Sequence, residues 1–581
     1  MGGLPLSFRS PAPLAATALP LSAYVQRTRR RWLGHAPLWS ALVVLGVAVL
    51  VLAPLASLGS IAGQGDAGLW ARLIADVLPA ALADTVGLLA GVAVVAGAVG
   101  VGAAWLVTAH RFPGRDWLAW LLPLPLAVPT YITAYVYVEL FDAAGPVQMG
   151  LRGLFGWTSR GDYWFPEIRS LSGCILVMSS VLYPYVYIAA RAMFLTQSAS
   201  MLEVARTLGA SRGELFRTVA LPLARPALAV GLSLALLEAL NDIGASEYLG
   251  VRTLTVSVFT TWLNRGSLVG AAQIACVMLV IVMGLILIER HGRRSRRYAA
   301  ATRRHRVAQA VPLPRWSGWI AFAACAVPVL LGFGLPVGFL LGEIVERGLI
   351  AQVDETFLGH LGTTLLLACA ATIAALALGI VVVTVSRLAR TGLTRTGLSI
   401  AGIGYAVPGT VLALGLLGPY AAFDNGLNAL WRGLTGERLG LVLMGSGAAI
   451  VIAYTIRFLP IATGSLAAGL DRVSAGIEDA ARTLGARPRD LVLAVQLPLL
   501  RPALASAALL VFVDCLKELP ATLLLRPLNT ETLATLVYGH ASRGAFEDGA
   551  LAALVIVLVG VWPVILLTRS AERRKEARST G

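Results

Sequence analysis

Twelve long apolar runs separated by polar segments set the pattern of this chain. They fall at 38–60, 84–108, 117–141, 171–194, 226–246 and 269–289, then at 317–342, 358–385, 397–421, 439–463, 502–524 and 548–568. Each is long enough for a helix to cross a hydrocarbon core of roughly 30 Å, which takes about 20 residues. The runs are continuous and rich in Leu, Ala and Val, without the alternation of a barrel strand. The pattern predicts an all-α polytopic membrane protein with about twelve transmembrane helices.

Composition agrees with the pattern, since 57% of the 581 residues are hydrophobic and 13% charged, which excludes an ordinary soluble domain. The net charge of +16 would suit nucleic acid, but its distribution argues otherwise. With the N-terminus cytoplasmic, most Lys and Arg fall on the inner side, as positive-inside topology requires. The densest basic run, "RHGRRSRRYAAATRRHR" from Arg290 to Arg306, then lies in a cytoplasmic linker, 290–316, against anionic membrane lipid. The tail 1–37 places "RTRRR" after an apolar stretch, the reverse of a secretory signal, and is expected to stay uncleaved. A second basic tail covers 569–581. Cysteines and histidines are dispersed, so no metal site is expected, and no nucleic-acid partner.

The chain is duplicated. A shift of 276 residues superposes Ala205–Ala229 on Ala481–Ala505, Pro184 on Pro460 and Glu238 on Asp514. A shift of 279 aligns "AVP" at Ala127–Pro129 with "AVP" at Ala406–Pro408, and Gly100 with Gly379. Six spans per half is an even number, so the repeats 38–289 and 317–568 are expected to be parallel, with a pathway at their pseudo-axis.

The most polar part of the repeat lies between the fourth and fifth spans of each half. The first copy reads "SASMLEVARTLGASRGELFRTVALPLARPAL" and the second "SAGIEDAARTLGARPRDLVLAVQLPLLRPAL". Leu202, Ala205 and Leu208, and Ile477, Ala481 and Leu484, recur at helical spacing up to Gly209 and Gly485, which are expected stops. A short helix parallel to the membrane suits docking to a soluble partner. A helix that merely lies on lipid would not need the same acid-x-Ala-x-x-x-Gly spacing in both copies.

This pattern resembles the coupling motif of permease subunits in binding-protein-dependent ATP-driven importers. Here it comprises Glu203, Ala205, Gly209, Leu221 and Pro222, then Asp479, Ala481, Gly485, Leu497 and Pro498. Val204 and Asp479 depart from the motif's Ala and Glu. The stretches "LPLAVPTYITAYVYVELF", "DYWFPEIRS", "VLYPYVYIAARAMF" and "LKELPATLLLRPLNTETLATLVY" further resemble the fused, double-length permeases of ferric-iron importers. That resemblance implies a multi-pass protein of the bacterial cytoplasmic membrane with both termini inside. It further implies two copies of a cytoplasmic ATP-binding subunit, a periplasmic or extracellular substrate-binding protein, and ferric iron as cargo. Related permeases carry thiamine, phosphonate, polyamine or sulfate. No G-x-x-x-x-G-K-[ST] occurs, so no cofactor is expected here and ATP and Mg belong to the partner ATPase. On the outer side, the aromatics and charges of 153–170 suit either a binding-protein surface or an interfacial anchor.

Ionisable groups inside spans are costly and mark pathways or buried pairs. Span five carries Glu238, Asn241 and Asp242, and span eleven Asp514, Lys517 and Glu518 at equivalent positions. Their i, i+4 spacing predicts both acids of each half on one helix face. At 1.5 Å per residue Glu238 stands about 18 Å beyond Pro226, near mid-membrane. Arg457 is not duplicated. The tyrosines of spans three and four suit helix packing better than iron ligation. An ion-driven secondary transporter would share the parallel halves and midplane charges but needs no paired coupling motif. An enzyme is disfavoured because no nucleophile, metal or nucleotide constellation is visible.

Overall fold

An apolar run in a membrane must satisfy its own backbone, and this chain does so almost wholly with helices. The structure, a computed structural model, describes residues 37–65, 67–196, 211–294, 310–389 and 391–579. Among the described residues, ten helices are long and apolar enough to cross a membrane: Leu38–Ala62, Gly68–Ala109, Leu171–Leu195, Leu215–Asn241, Leu268–Gly292, Arg315–Glu346, Glu355–Ala389, Ala448–Leu470, Pro488–Leu516 and Phe546–Ile565. Two bent pairs, Arg115–Ala127 with Thr130–Phe155 and Gly392–Ala406 with Gly409–Thr435, bring the spans to twelve. Numbered in chain order, the bent pairs are spans three and nine, equivalent places in the two halves.

The bends, of 93° and 116°, break the helices expected over 117–141 and 397–421. Both occur at the repeated Ala-Val-Pro. The ring of a proline excludes the residue before it from helical geometry. Val128 and Val407 are accordingly extended, with ψ 119 and 120, and Pro129 and Pro408 then open the next helix. The apolar run hides this break, because it continues across the elbow.

A second local device recurs four times among the described residues. The wide π-helical turns Leu73–Val77, Leu215–Ala220, Leu330–Gly334 and Leu491–Gln496 each run directly into a Leu-Pro pair. Proline brings no N–H and its ring crowds the carbonyl four residues back. Opening the preceding turn by one residue relieves that crowding, and the Leu N–H bonds the carbonyl five residues back instead of four.

Spans two and four cross closely at Gly100, where a Cβ would stand 2.8 Å from the Tyr183 carbonyl oxygen. Spans eight and ten repeat the crossing at Gly379 against Ala462. The first span of each half packs on the other half. Span one lies against span nine, where the Pro54 carbonyl oxygen would be 2.3 Å from a Cβ on Gly415. Span seven lies against spans three and four, with Gly332 at the Ser180 carbonyl and Tyr137 donating to the Leu331 oxygen at 3.1 Å. A two-residue parallel pairing joins His110–Arg111, after span two, to Val311–Pro312, before span seven.

Candidate functional site

The six membrane-embedded polar positions named from the duplication, Glu238, Asn241, Asp242, Asp514, Lys517 and Glu518, all line one cavity between the two halves. Its water-accessible volume is about 70 Å³, and it is also bordered by the span-three elbow and by Arg457 and Phe458 of span ten. The expectation that the acids of each half share a helix face is corrected. The helix of span five ends at Asn241, and that of span eleven at Leu516. Asp242 is extended and begins a turn, so Glu238 and Asp242 reach the cavity from a helix end and from the turn beyond it.

Asp242 and Glu518 perform the same local task. Asp242 Oδ1 accepts the Ala245 N–H at 2.7 Å, and Glu518 Oε1 accepts the Ala521 N–H at 3.1 Å. Each thus binds orphan N–H groups at the start of the short helix that follows, Gly244–Tyr248 or Pro520–Leu525. Their second oxygens differ. Asp242 accepts from the Thr130 hydroxyl at the span-three elbow. The equivalent residue in span nine is Gly409, where a Cβ would sit 2.6 Å from Glu518 Oε1 and 3.0 Å from Arg457 Nη1. The missing side chain leaves room for a buried ion pair, Arg457 Nε to Glu518 Oε2 at 3.2 Å, with the partners 4% and 5% exposed.

Contacts across the pseudo-axis complete the site. Tyr405 of span nine donates to Glu238 Oε1 at 2.6 Å. Asn241 Oδ1 accepts from the Gly409 N–H at 2.6 Å and from Arg457 Nη1 at 3.1 Å. Lys517 bonds Asp514 on its own segment at 2.8 Å, so it does not bridge helices. Both basic side chains therefore neutralise second-half carboxylates, while Glu238 and Asp242 accept hydrogen bonds from uncharged donors. Sequence reasoning missed Tyr405, Thr130 and Gly409, although the last two directly follow the repeated Ala-Val-Pro.

The first coupling segment, with Glu203, Ala205 and Gly209, lies outside the described residues. The second forms a helix, Ala475–Thr483, closed by Gly485 at φ +85, with the Ala486 N–H bonding the Ala481 oxygen. Ile477 and Leu484 are exposed, Leu484 to 89%. Among the described residues Asp479 pairs only with Arg482 of its own helix at 3.0 Å, whereas the adjacent Glu478, not singled out from the sequence, is 1% exposed and bonded to Arg387 at 3.0 Å. Leu221-Pro222 and Leu497-Pro498 open the long helices of spans five and eleven behind their π-turns.

On the loop between spans three and four, Asp162 accepts the Thr158 and Ser159 N–H groups, each at 2.8 Å, and these hold its carboxyl below the usual carboxylate range. Trp157 stacks between Phe155 and Tyr163, so Asp162 shapes the loop that presents these rings. Tyr183 and Tyr187 of span four donate to the Leu122 and Ala119 carbonyls of span three, a helix-packing role.

Comparison with known proteins agrees with this architecture. The family described as binding-protein-dependent transport system inner membrane component matches residues 96–297. The ferric-iron transport system permease protein FbpB 2 of Haemophilus influenzae is 24% identical over 496 residues, 84% of this chain and 90% of that protein. The molybdenum transport system permease protein ModB of Escherichia coli is 31% identical over 197 residues, 32% of this chain and 82% of that protein. The sulfate transport system permease protein CysW of Escherichia coli is 35% identical over 146 residues, 25% of this chain and 47% of that protein. With its helical duplicated fold, its cavity between halves and these relatives, the chain belongs to the inner-membrane permeases of binding-protein-dependent ABC transporters.

Proposed function

We propose that this chain forms the translocation path of an ATP-driven importer of ferric iron, in a bacterial cytoplasmic membrane with both termini inside. The observation that carries the path is the single cavity lined by both copies of the duplicated acids. Its four carboxylates outnumber its two basic side chains, and the unneutralised pair, Glu238 and Asp242, favours a cation. The match to the ferric-iron permease spans both halves, which supports the same cargo.

The helix Ala475–Thr483 is the proposed dock for one ATP-binding subunit, and the segment around Glu203, Ala205 and Gly209 the dock for a second. The exposed Ile477 and Leu484 supply an uncovered apolar face for such a partner. ATP and Mg are held by that partner, and a binding protein delivers cargo to the opposite face, where loop 156–170 presents its aromatics.

An oxyanion cargo is the second reading, favoured by Lys517 and Arg457 in the cavity and by the molybdenum and sulfate relatives. Uptake by ATP-loaded vesicles holding the assembled transporter decides between them. Ferric iron is expected to accumulate with its binding protein, to require ATP and to withstand collapse of ion gradients. Accumulation of molybdate or sulfate alone would overturn the iron reading, and gradient-driven uptake without ATP would overturn the importer mechanism.

A further inference from the structure

The second coupling segment is tied to the membrane helices by charge-assisted hydrogen bonds. In the second half, Arg387 at the end of span eight donates from Nε to Glu478 Oε1 at 3.0 Å and from Nη2 to the Val473 carbonyl at 3.3 Å. The same Glu478 oxygen accepts from Gln496 Nε2 at 3.2 Å. Gln496, fully buried, is the last residue of the π-turn at the root of span eleven. One carboxylate thus joins three elements: the end of span eight, the helix Ala475–Thr483 and the base of the span whose far end carries Asp514, Lys517 and Glu518.

The first half lacks all three polar members. In the repeat register, Arg387 corresponds to Thr108, Glu478 to Leu202 and Gln496 to Ala220. Thr108 bonds the Ala104 carbonyl of its own helix at 2.7 Å. Span two meets span four and the π-turn through rings instead, with Trp105 at 5.5 Å from Phe194 of span four and 5.2 Å from Phe216 of the π-turn between centroids. Their second-half counterparts are Thr384, Leu470 and Val492, which supply no rings. Aromatic packing is carried mainly by apolar contact area, whereas the charge-assisted hydrogen bonds at Glu478 are directional.

We propose that Arg387 is a positioning residue that latches the second coupling helix, through Glu478 and Gln496, to spans eight and eleven, so that displacement of that helix moves both spans as a unit. The proposal rests on the coupling role given to Ala475–Thr483 above. It makes the two ATPase contacts unequal, the second being sensitive to single charge changes that have no counterpart in the first.

Hydrogen exchange of amides 476–483 and binding-protein-stimulated ATP hydrolysis, both on the full chain assembled with its ATPase, test this together. Arg387→Gln and Glu478→Gln are each expected to speed exchange at 476–483 by about tenfold or more, because the first strands a carboxylate that is 1% exposed and the second removes the charge that Arg387 bonds. In Arg387→Gln, which lies outside the docking helix, stimulated hydrolysis is expected to fall several-fold, with basal hydrolysis and assembly kept. Arg387→Lys should recover part of both, and the exchanged pair Arg387→Glu with Glu478→Arg more of both. Trp105→Ala should leave exchange at 476–483 unchanged. Unchanged exchange in the neutralised variants would overturn the latch and leave the coupling reading standing. Faster exchange with full stimulation would overturn the proposal through the coupling reading on which it rests.

Discussion

Single residues in the cavity divide into those that hold the fold and those free to serve cargo. Arg457 and Glu518 are nearly inaccessible, and removing one partner strands the other charge. Arg457→Met is therefore expected to destabilise the protein by about 3–5 kcal/mol, read as a lower melting temperature in detergent. Glu238→Gln is expected to melt within about 1 kcal/mol of the parent, because its amide oxygen can still accept from Tyr405. It should nonetheless slow cation uptake on the order of tenfold, the scale of losing one charged contact of about 1.5 kcal/mol. Equal melting losses for both variants would assign Glu238 to packing as well. The acids were legible in the sequence because charge is costly inside an apolar run. Their partners were not, since Thr130, Tyr405 and Gly409 are ordinary residues brought to the site by a chain reversal more than a hundred residues away. Glu478 escaped notice because the motif register pointed to its neighbour Asp479. A signal existed: Arg387, Glu478 and Gln496 all depart from the repeat together.

Elements were legible as hydrophobic length and illegible where two elements share one apolar run. The twelve runs correspond to the twelve spans when each elbow counts as one, yet hydropathy alone carries no sign of a 93° or 116° turn. Proline was the available signal, both for the elbows and for the π-turns that precede every Leu-Pro named above. This gives the Leu-Pro of the coupling motif a local cause. Pro498→Ala restores an N–H and removes the ring clash, which should let Leu491–Gln496 tighten to α-helical geometry. Removing one residue from a wide turn rotates everything before it by about 100° relative to span eleven. The expected outcome is a protein that inserts and melts normally but loses most of its stimulated ATP hydrolysis. Leu497→Ala, which leaves the proline, should have a much smaller effect. Equal loss in both would shift the cause from turn geometry to the leucine side chain.

At the scale of the whole molecule, the halves are exchanged at their edges. Span one covers span nine, span seven covers spans three and four, and across the axis Tyr538 donates to Glu247 Oε2 at 2.8 Å while Tyr135 packs on Phe546. Neither half encloses its own core, because each lends its first helix to the other. The division at 290–316 is therefore proposed as a covalent join between two units that fold on each other rather than as a boundary between independent domains. A relative of which 197 matched residues make up 82% is close to one repeat in length. Cutting the gene within the linker, so that 1–300 and 301–581 are made as separate chains, is expected to yield a complex that co-purifies at equal amounts and retains uptake. Either half made alone should accumulate poorly, because the surfaces around Gly415 and Gly332 would be left without the helix that fills them. Removing span one from the split pair, by starting the first chain at 67, should weaken co-purification, since it strips a packed helix from span nine of the partner. Stable, separately folded halves that fail to associate would contradict the exchange and restore the picture of two self-contained domains.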